Sequence, residues 1–385
     1  MDSAAKYGHK ELGQQIVSKD VVVVTIQYRL GYLGYFSLHN DICKGNFGLW
    51  DQKAALEWTK RNIASFGGDP SRITVGGQSA GGVSADLLSL SPLSRDLFSQ
   101  KIVMGGSSFC HWAVTRGEDI EEYFFSSRAE EDEALMSFLR SVPAHKFACH
   151  MIGTSEVFSE ARLPLAPVID GEILPKELHE LRMEAPPKRS ISGVGEYEAL
   201  LFVALGTIRC NGKFLHRILL SDLISNYACW QYMNEAERHD RETYMYSFDF
   251  TSRNMWGWMK AVLPFCERRG THASELIYLF KCNYFCAPLP MDRNDRSVAA
   301  ITSLLWANFI KSGNPNSCES REAGVQWEPL RGDGHCLLSI STRCETRREV
   351  FGGRMEALDG LFHRMAIDTD YNIATPQPRI SIPIR

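Results

Sequence analysis

The chain has 385 residues, 44% of them apolar, and its formal charge of −4 offers no basic footprint for nucleic acid or an anionic membrane. Its longest uninterrupted apolar run, Ala199 to Leu205, is far short of the ~18 to 20 residues that a membrane span requires. Two function classes, nucleic-acid binding and membrane spanning, are thereby set aside.

The N-terminal residues have neither the apolar core nor the cleavage site of a secretory signal, so a cytoplasmic location is expected for the chain as written. Eleven cysteines are scattered without paired C-x-x-C spacing, which argues against a zinc site and leaves at least one thiol unpaired. There is no Asn-x-Ser/Thr acceptor to suggest glycosylation.

In chain order, residues 3 to 18 carry helix formers. Val21 to Tyr28 is a β-branched run that reads as an inner parallel strand covered on both faces. Glycines 31, 34, 45 and 48 punctuate a loop, and Asp51 to Phe66 reads as a helix with its stop at Gly67-Gly68. Ile73 to Val75 is a short strand, and Ala80 to Leu90 a helix. Strand, helix, strand with short connections is a parallel crossover, the mark of an α/β sheet.

Between that strand and that helix stands Gly77-Gln78-Ser79-Ala80-Gly81, a G-x-S-x-G elbow. A sharp strand-to-helix bend lifts the serine out in a strained conformation, so its flanks need residues nearly without side chains. The first N–H groups of the following helix would face an anion held at Ser79.

Further along, Ile102 to Met104, Ile191 to Val194, Tyr244 to Phe250 and Leu337 to Ile340 read as strands. Residues 118 to 140 read as a helix with a solvated acidic face, and Ser297 to Lys311 and Met355 to Met365 as further helices. No internal repeat, low-complexity tract or linker interrupts the chain. The expected organisation is one α/β domain over 1–367, partial at its N-terminus, and an irregular proline-bearing tail over 368–385.

Several local patterns together resemble the type-B carboxylesterases, the cholinesterase-like family of the α/β-hydrolase superfamily. They are Val-Thr-Ile-Gln-Tyr-Arg-Leu-Gly at 24–31, Gly45-Asn46 with Asp51-Gln52, Phe66-Gly-Gly-Asp-Pro70, the Ser79 elbow, Ser91-Pro92, Asp170-Gly171, and Trp306-Ala-Asn-Phe309 with Gly313-Asn-Pro-Asn316. The resemblance implies an α/β-hydrolase fold: a mostly parallel sheet with helices on both faces, here lacking its N-terminal strands. It implies serine-dependent hydrolysis of carboxylic esters through an acyl-enzyme, with a small-molecule ester as partner and no metal or organic cofactor. Full-length relatives are commonly secreted or held in the endoplasmic reticulum lumen.

It also implies a Ser, acid, His order for the catalytic residues. Ser79 matches the nucleophile. Glu198, in Gly193-Val-Gly-Glu-Tyr-Glu198, matches the acid, with Glu196 as the fallback, and His272, in His272-Ala-Ser-Glu-Leu276, matches the base. Such a triad works because a serine hydroxyl becomes nucleophilic only when a neutral imidazole takes its proton, and a buried carboxylate fixes that imidazole's tautomer.

The family's oxyanion hole combines the N–H of the residue after the nucleophile, here Ala80, with N–H donors of an upstream glycine loop. Met1-Asp-Ser-Ala4 resembles the segment just after that loop, so truncation is expected. Loss of one such donor typically costs ~10²- to 10³-fold in rate. The strand before the loop would lie between 21–28 and the Ser79 strand, so either those two pair directly or the sheet is incomplete. Gln78, where many relatives carry Glu, and Gly105-Gly106, where Ser-Gly is usual, are smaller departures. The competing readings are a catalytically impaired cholinesterase-like binding protein and a fragment.

Overall fold

Strands β1 (Thr74–Gln78), β2 (Gln100–Met104), β3 (Arg189–Val194), β4 (Thr243–Phe248), β5 (Leu337–Ile340) and β6 (Glu345–Arg347) form a single sheet in that spatial order. Pairs from β1 to β5 are parallel, and β6 closes the far edge antiparallel to β5. The computed structural model describes residues 13–115, 129–147, 163, 165–204, 214–239, 242–252, 270–280, 290–330 and 334–368. Residues 1–4, the first part of the expected acidic helix and the tail from 369 lie outside that set.

The main helices are α1 (Phe47–Asn62), α2 (Ala80–Leu90), α3 (Ala129–Ser141), α4 (Leu178–Glu184), α5 (Tyr227–Arg238), α6 (Ser274–Phe280), α7 (Arg293–Ser312) and α8 (Arg354–Asp368). Their ends follow from local chemistry. Asp292 accepts from the Asp295 N–H at 2.9 Å and the Asp295 carboxylate accepts from the Asp292 N–H at 3.0 Å, a reciprocal cap that starts α7. Gly313 ends the same helix in the left-handed region, at φ 75°. Gly67, at φ 81°, likewise stops the 3₁₀ turn that follows α1.

Alternation along the strands divides the core into two layers. Tyr244, Tyr246 and Phe248 of β4, with Ile102, Met104 and Ile191, pack against Leu276–Leu279 of α6 and against Leu305, Trp306 and Phe309 of α7. On the opposite face Val194 and Met245 meet Trp230 and Met233 of α5 and Met355 of α8. Strands β2 to β5 are buried almost throughout, the condition in which β-branched and aromatic runs without a polar face are stable.

One expected strand is not formed. Residues 21–30 enter no ladder, and β1 stands at the edge of the sheet, so 21–28 does not pair with the Ser79 strand. A strand exists only against a partner ~4.8 Å away, and among the described residues none stands there. β-propensity describes a fit to a pleated, covered surface, and without that surface the run remains irregular. Val22 and Val24 are left 44% and 41% exposed, while Val23 packs against the main core cluster.

Candidate active site

Ser79 is the hinge between β1 and α2. Its backbone sits at φ 60° and ψ −126°, a conformation that costs an ordinary residue ~1–3 kcal/mol. Two contacts impose it. The Ser79 N–H donates to the Met104 carbonyl at 2.7 Å, and its own carbonyl accepts the first helical bond from Val83 at 3.0 Å. The glycines around it are explained unequally: a Cβ on Gly77 would stand 2.2 Å from the Gly81 carbonyl, whereas a Cβ on Gly81 would meet nothing within 4 Å. Steric necessity therefore lies with Gly77 and with Gly82, whose Cβ would be 2.4 Å from the Gly106 carbonyl oxygen. Ala80 opens α2, where the first N–H groups have no helical acceptor and the helix dipole is positive.

Glu198 and His272 meet across two loops at the ends of β3 and β4. Glu198 is fully buried; its Oε1 accepts from the Gly195 N–H at 2.5 Å and its Oε2 accepts from His272 Nδ1. Thr271 ties the loops together, its hydroxyl accepting from the Leu201 N–H at 3.1 Å and donating to the Glu198 carbonyl at 3.4 Å. Close backbone approach is part of the design: a Cβ on Gly270 would lie 2.0 Å from the Phe248 carbonyl oxygen. The fallback acid, Glu196, is not the carboxylate on His272; its backbone carbonyl accepts from the Asn226 amide at 3.0 Å.

His272 is 7% exposed. Burial by itself would depress the imidazole, but the charge and hydrogen bond of Glu198, with the charge of Glu275, outweigh it and hold the pKa above the ordinary 6.5. The Phe202 ring lies 5.0 Å from the imidazole, centre to centre. Trp112 donates from its indole N–H to the Ile224 carbonyl at 2.9 Å, and both rings pack against Ala199, Leu220 and Ile224.

The elbow and the Glu198–His272 pair are neighbours through Gln78, whose side-chain nitrogen lies against the imidazole, 3.2 Å from Nε2 and 3.5 Å from Nδ1. Ser79 Oγ makes no hydrogen bond to the imidazole among the described residues.

Glu275 is absent from the catalytic set implied by the sequence patterns. It lies in the first turn of α6, three residues after His272, is 1% exposed, and shares its buried space with the Tyr246 hydroxyl. Desolvation, then the charge of Glu198, pushes its pKa up to about 7. The Glu in His-x-x-Glu is a visible signal for it in the sequence, but one that carries no role there.

Comparison with known proteins bears on this arrangement. The profile of the "Carboxylesterase family" matches residues 1–216 and 211–357. "Esterase cest-33" of Caenorhabditis elegans is 33% identical over 89% of this chain and 70% of its own length. "Gut esterase 1" of the same organism is 36% identical over 55% of this chain and 38% of its own, and "Bile salt-activated lipase" of Bos taurus is 27% identical over 87% and 64%. The chain thus spans between 38% and 70% of the length of these relatives. No helix among the described residues is long and apolar enough to cross a membrane.

Proposed function

Because the chain belongs to the carboxylesterase family, we propose that it hydrolyses carboxylic esters through an acyl-enzyme formed on Ser79. The observation that carries this reading is the buried Glu198–His272 pair beside a strained serine elbow. Glu198 is acceptor-only, so Nδ1 carries the imidazole proton and Nε2 offers the lone pair that a general base needs.

In this reading the Ser79 hydroxyl attacks the ester carbonyl as its proton passes to His272 Nε2. Negative charge develops on the carbonyl oxygen, and the Ala80 N–H at the head of α2 is the donor this chain offers to it. His272 returns the proton to the leaving alcohol, and water repeats the cycle to release the acid. Glu198 holds the ring in one tautomer and balances the imidazolium without itself being protonated. Trp112 and Phe202, packed on Ala199, Leu220 and Ile224, offer apolar surface for the acyl or alkoxy group.

A fluorophosphonate probe tests the reading, because it phosphonylates only a serine activated as a nucleophile. Labelling at Ser79 that disappears in Ser79→Ala is expected. Equal labelling of the two proteins removes Ser79 from the mechanism.

A further inference from the structure

At the N-terminal ends of β2, β3 and β4, the end of the sheet away from Ser79, lies a cavity of ≈10 Å³ lined in part by Lys101, Arg182, Lys188, Ser190, Tyr232 and Thr243. It has room for about one water-sized particle. Its lining is rich in donors. Lys101, 4% exposed, directs two N–H groups to Asp86 at 2.6 Å and Ser89 at 2.9 Å, and its third has no oxygen or nitrogen acceptor among the described residues. The Tyr232 ring lies 5.4 Å from that Nζ.

Hydroxyl groups add a second surplus. Tyr232 donates to Ser190 Oγ at 3.3 Å, and Ser190 and Thr243 share a single bond of 2.9 Å. Whichever of the two donates, the hydroxyl hydrogen of the other has no acceptor among the described residues, and both residues are 1% exposed.

Charge is unbalanced in the same direction. Around the cavity and directly behind it, three cations, Lys101, Arg182 and Lys188, stand against two carboxylates, Asp86 and Glu235. Asp86 is held between Lys101 and Arg182, and Glu235 lies 3.3 Å from His239. Lys188 has no carboxylate within ion-pair distance among the described residues, and its Nζ donates to the Phe98 carbonyl at 2.7 Å. Burial, with the charges of Lys101, Lys60 and Arg95 working against that of Asp96, pushes its amine down to about 8. Uncompensated charge away from water is costly, and a single anion removes the surplus.

We propose that this cavity binds one monovalent, monatomic anion of halide size, chloride under ordinary conditions, held by Lys101 Nζ and the Ser190–Thr243 hydroxyl pair with the half-buried Lys188 as the outer cation. Polyatomic oxyanions exceed the space. The ion completes the counter-charge of the Asp86 cluster, which joins α2 to β2 and α4. No residue of the Ser79 site takes part, so loss of the esterase reading leaves the anion site intact.

The test is the thermal melting midpoint of the full chain at constant ionic strength, with sodium chloride replacing sodium gluconate. Chloride should raise the midpoint along a saturating curve, by about 3 °C at about 100 times the dissociation constant, and bromide should do the same. Lys101→Met should abolish the dependence. Lys188→Met, at a half-buried position, should raise the half-saturating chloride concentration about 10-fold. The ³⁵Cl resonance offers a second readout: the parent protein should broaden it, and added bromide should sharpen it again.

Equal midpoints in chloride and gluconate overturn the proposal, because a cavity that holds water has no halide dependence. A response that rises without saturating, or one that Lys188→Met leaves in place, overturns it too, whether or not Lys101→Met folds. A ³⁵Cl line that bromide does not sharpen has the same consequence.

Discussion

Glu275 and His272 share a buried space and both titrate above their ordinary values, which fixes the sign of two pH effects. General-base action needs neutral imidazole, so the rate should fall as pH drops through a midpoint above 6.5. Glu275→Gln removes one of the charges that raise the imidazole, so that midpoint should move down. Stability follows the proton balance. The folded chain holds the Glu275 proton up to about 7, whereas the carboxyl's ordinary value is 4.5, so this group's contribution is present below 4.5 and lost as pH rises through about 7. Relative to the parent, Glu275→Gln should therefore gain on the order of 3 kcal/mol between pH 4 and pH 8, read as the shift in urea midpoint; a difference that does not change with pH would contradict it. At this scale local patterns mark residues and are silent about their environment. Ser79, Glu198 and His272 each sit in a short pattern, but the burial of Glu275 and the contact of Gln78 depend on three-dimensional neighbours that no local pattern encodes.

At the scale of elements, α2 is anchored to the sheet by a buried charge cluster. Asp86 of α2, fully buried, accepts from Lys101 Nζ of β2 at 2.6 Å, from the Ser108 N–H at 3.0 Å, and lies 3.5 Å from Arg182 of α4. Desolvation opposes its charge, but Lys101 and Arg182 prevail and hold the carboxyl well below the usual range. Asp86→Ala would strand two buried cations, and a loss of about 3–5 kcal/mol in unfolding free energy is expected, measured by urea denaturation. A loss under about 1 kcal/mol would mean that the cations relax to solvent. The family motifs resolve into similar fastenings. Asn46 clamps the loop before Asp170 through paired bonds to Val168 at 2.7 and 2.9 Å, and Arg29 grips Asp51 with two side-chain bonds of 2.7 Å. Elements with strong local signals were legible: α2 occupies the expected residues and β5 does too, while α1 begins four residues earlier than its pattern suggested. The 21–28 run was misread because its composition reports suitability for a sheet and not the presence of a neighbour.

For the molecule as a whole, both edges of the sheet are accessible, β6 along its whole length and β1 in part, but apolar residues lie near the β1 edge. Strand β1 is partly accessible along its length and, among the described residues, pairs with β2 alone, and the valines of 21–28 lie outside the ladder. Open edges with apolar residues nearby invite association between chains. Val22→Lys with Val24→Lys should raise the concentration at which the protein begins to aggregate, seen by light scattering, and should change the unfolding free energy by less than about 0.5 kcal/mol. Unchanged scattering would place the sticky surface elsewhere.

The same one-sidedness has a mechanical reading. Glu198 follows a strand gripped by ladders on both flanks, β2 and β4, whereas among the described residues Ser79 follows one gripped on a single flank. In a sheet treated as a set of springs, the serine end of the proposed proton relay is the compliant end and the carboxylate end the stiff one. If Ser79 is the nucleophile proposed above, any movement of its hydroxyl relative to the imidazole would then fall to β1 and its elbow, with the Glu198–His272 pair as the fixed anvil.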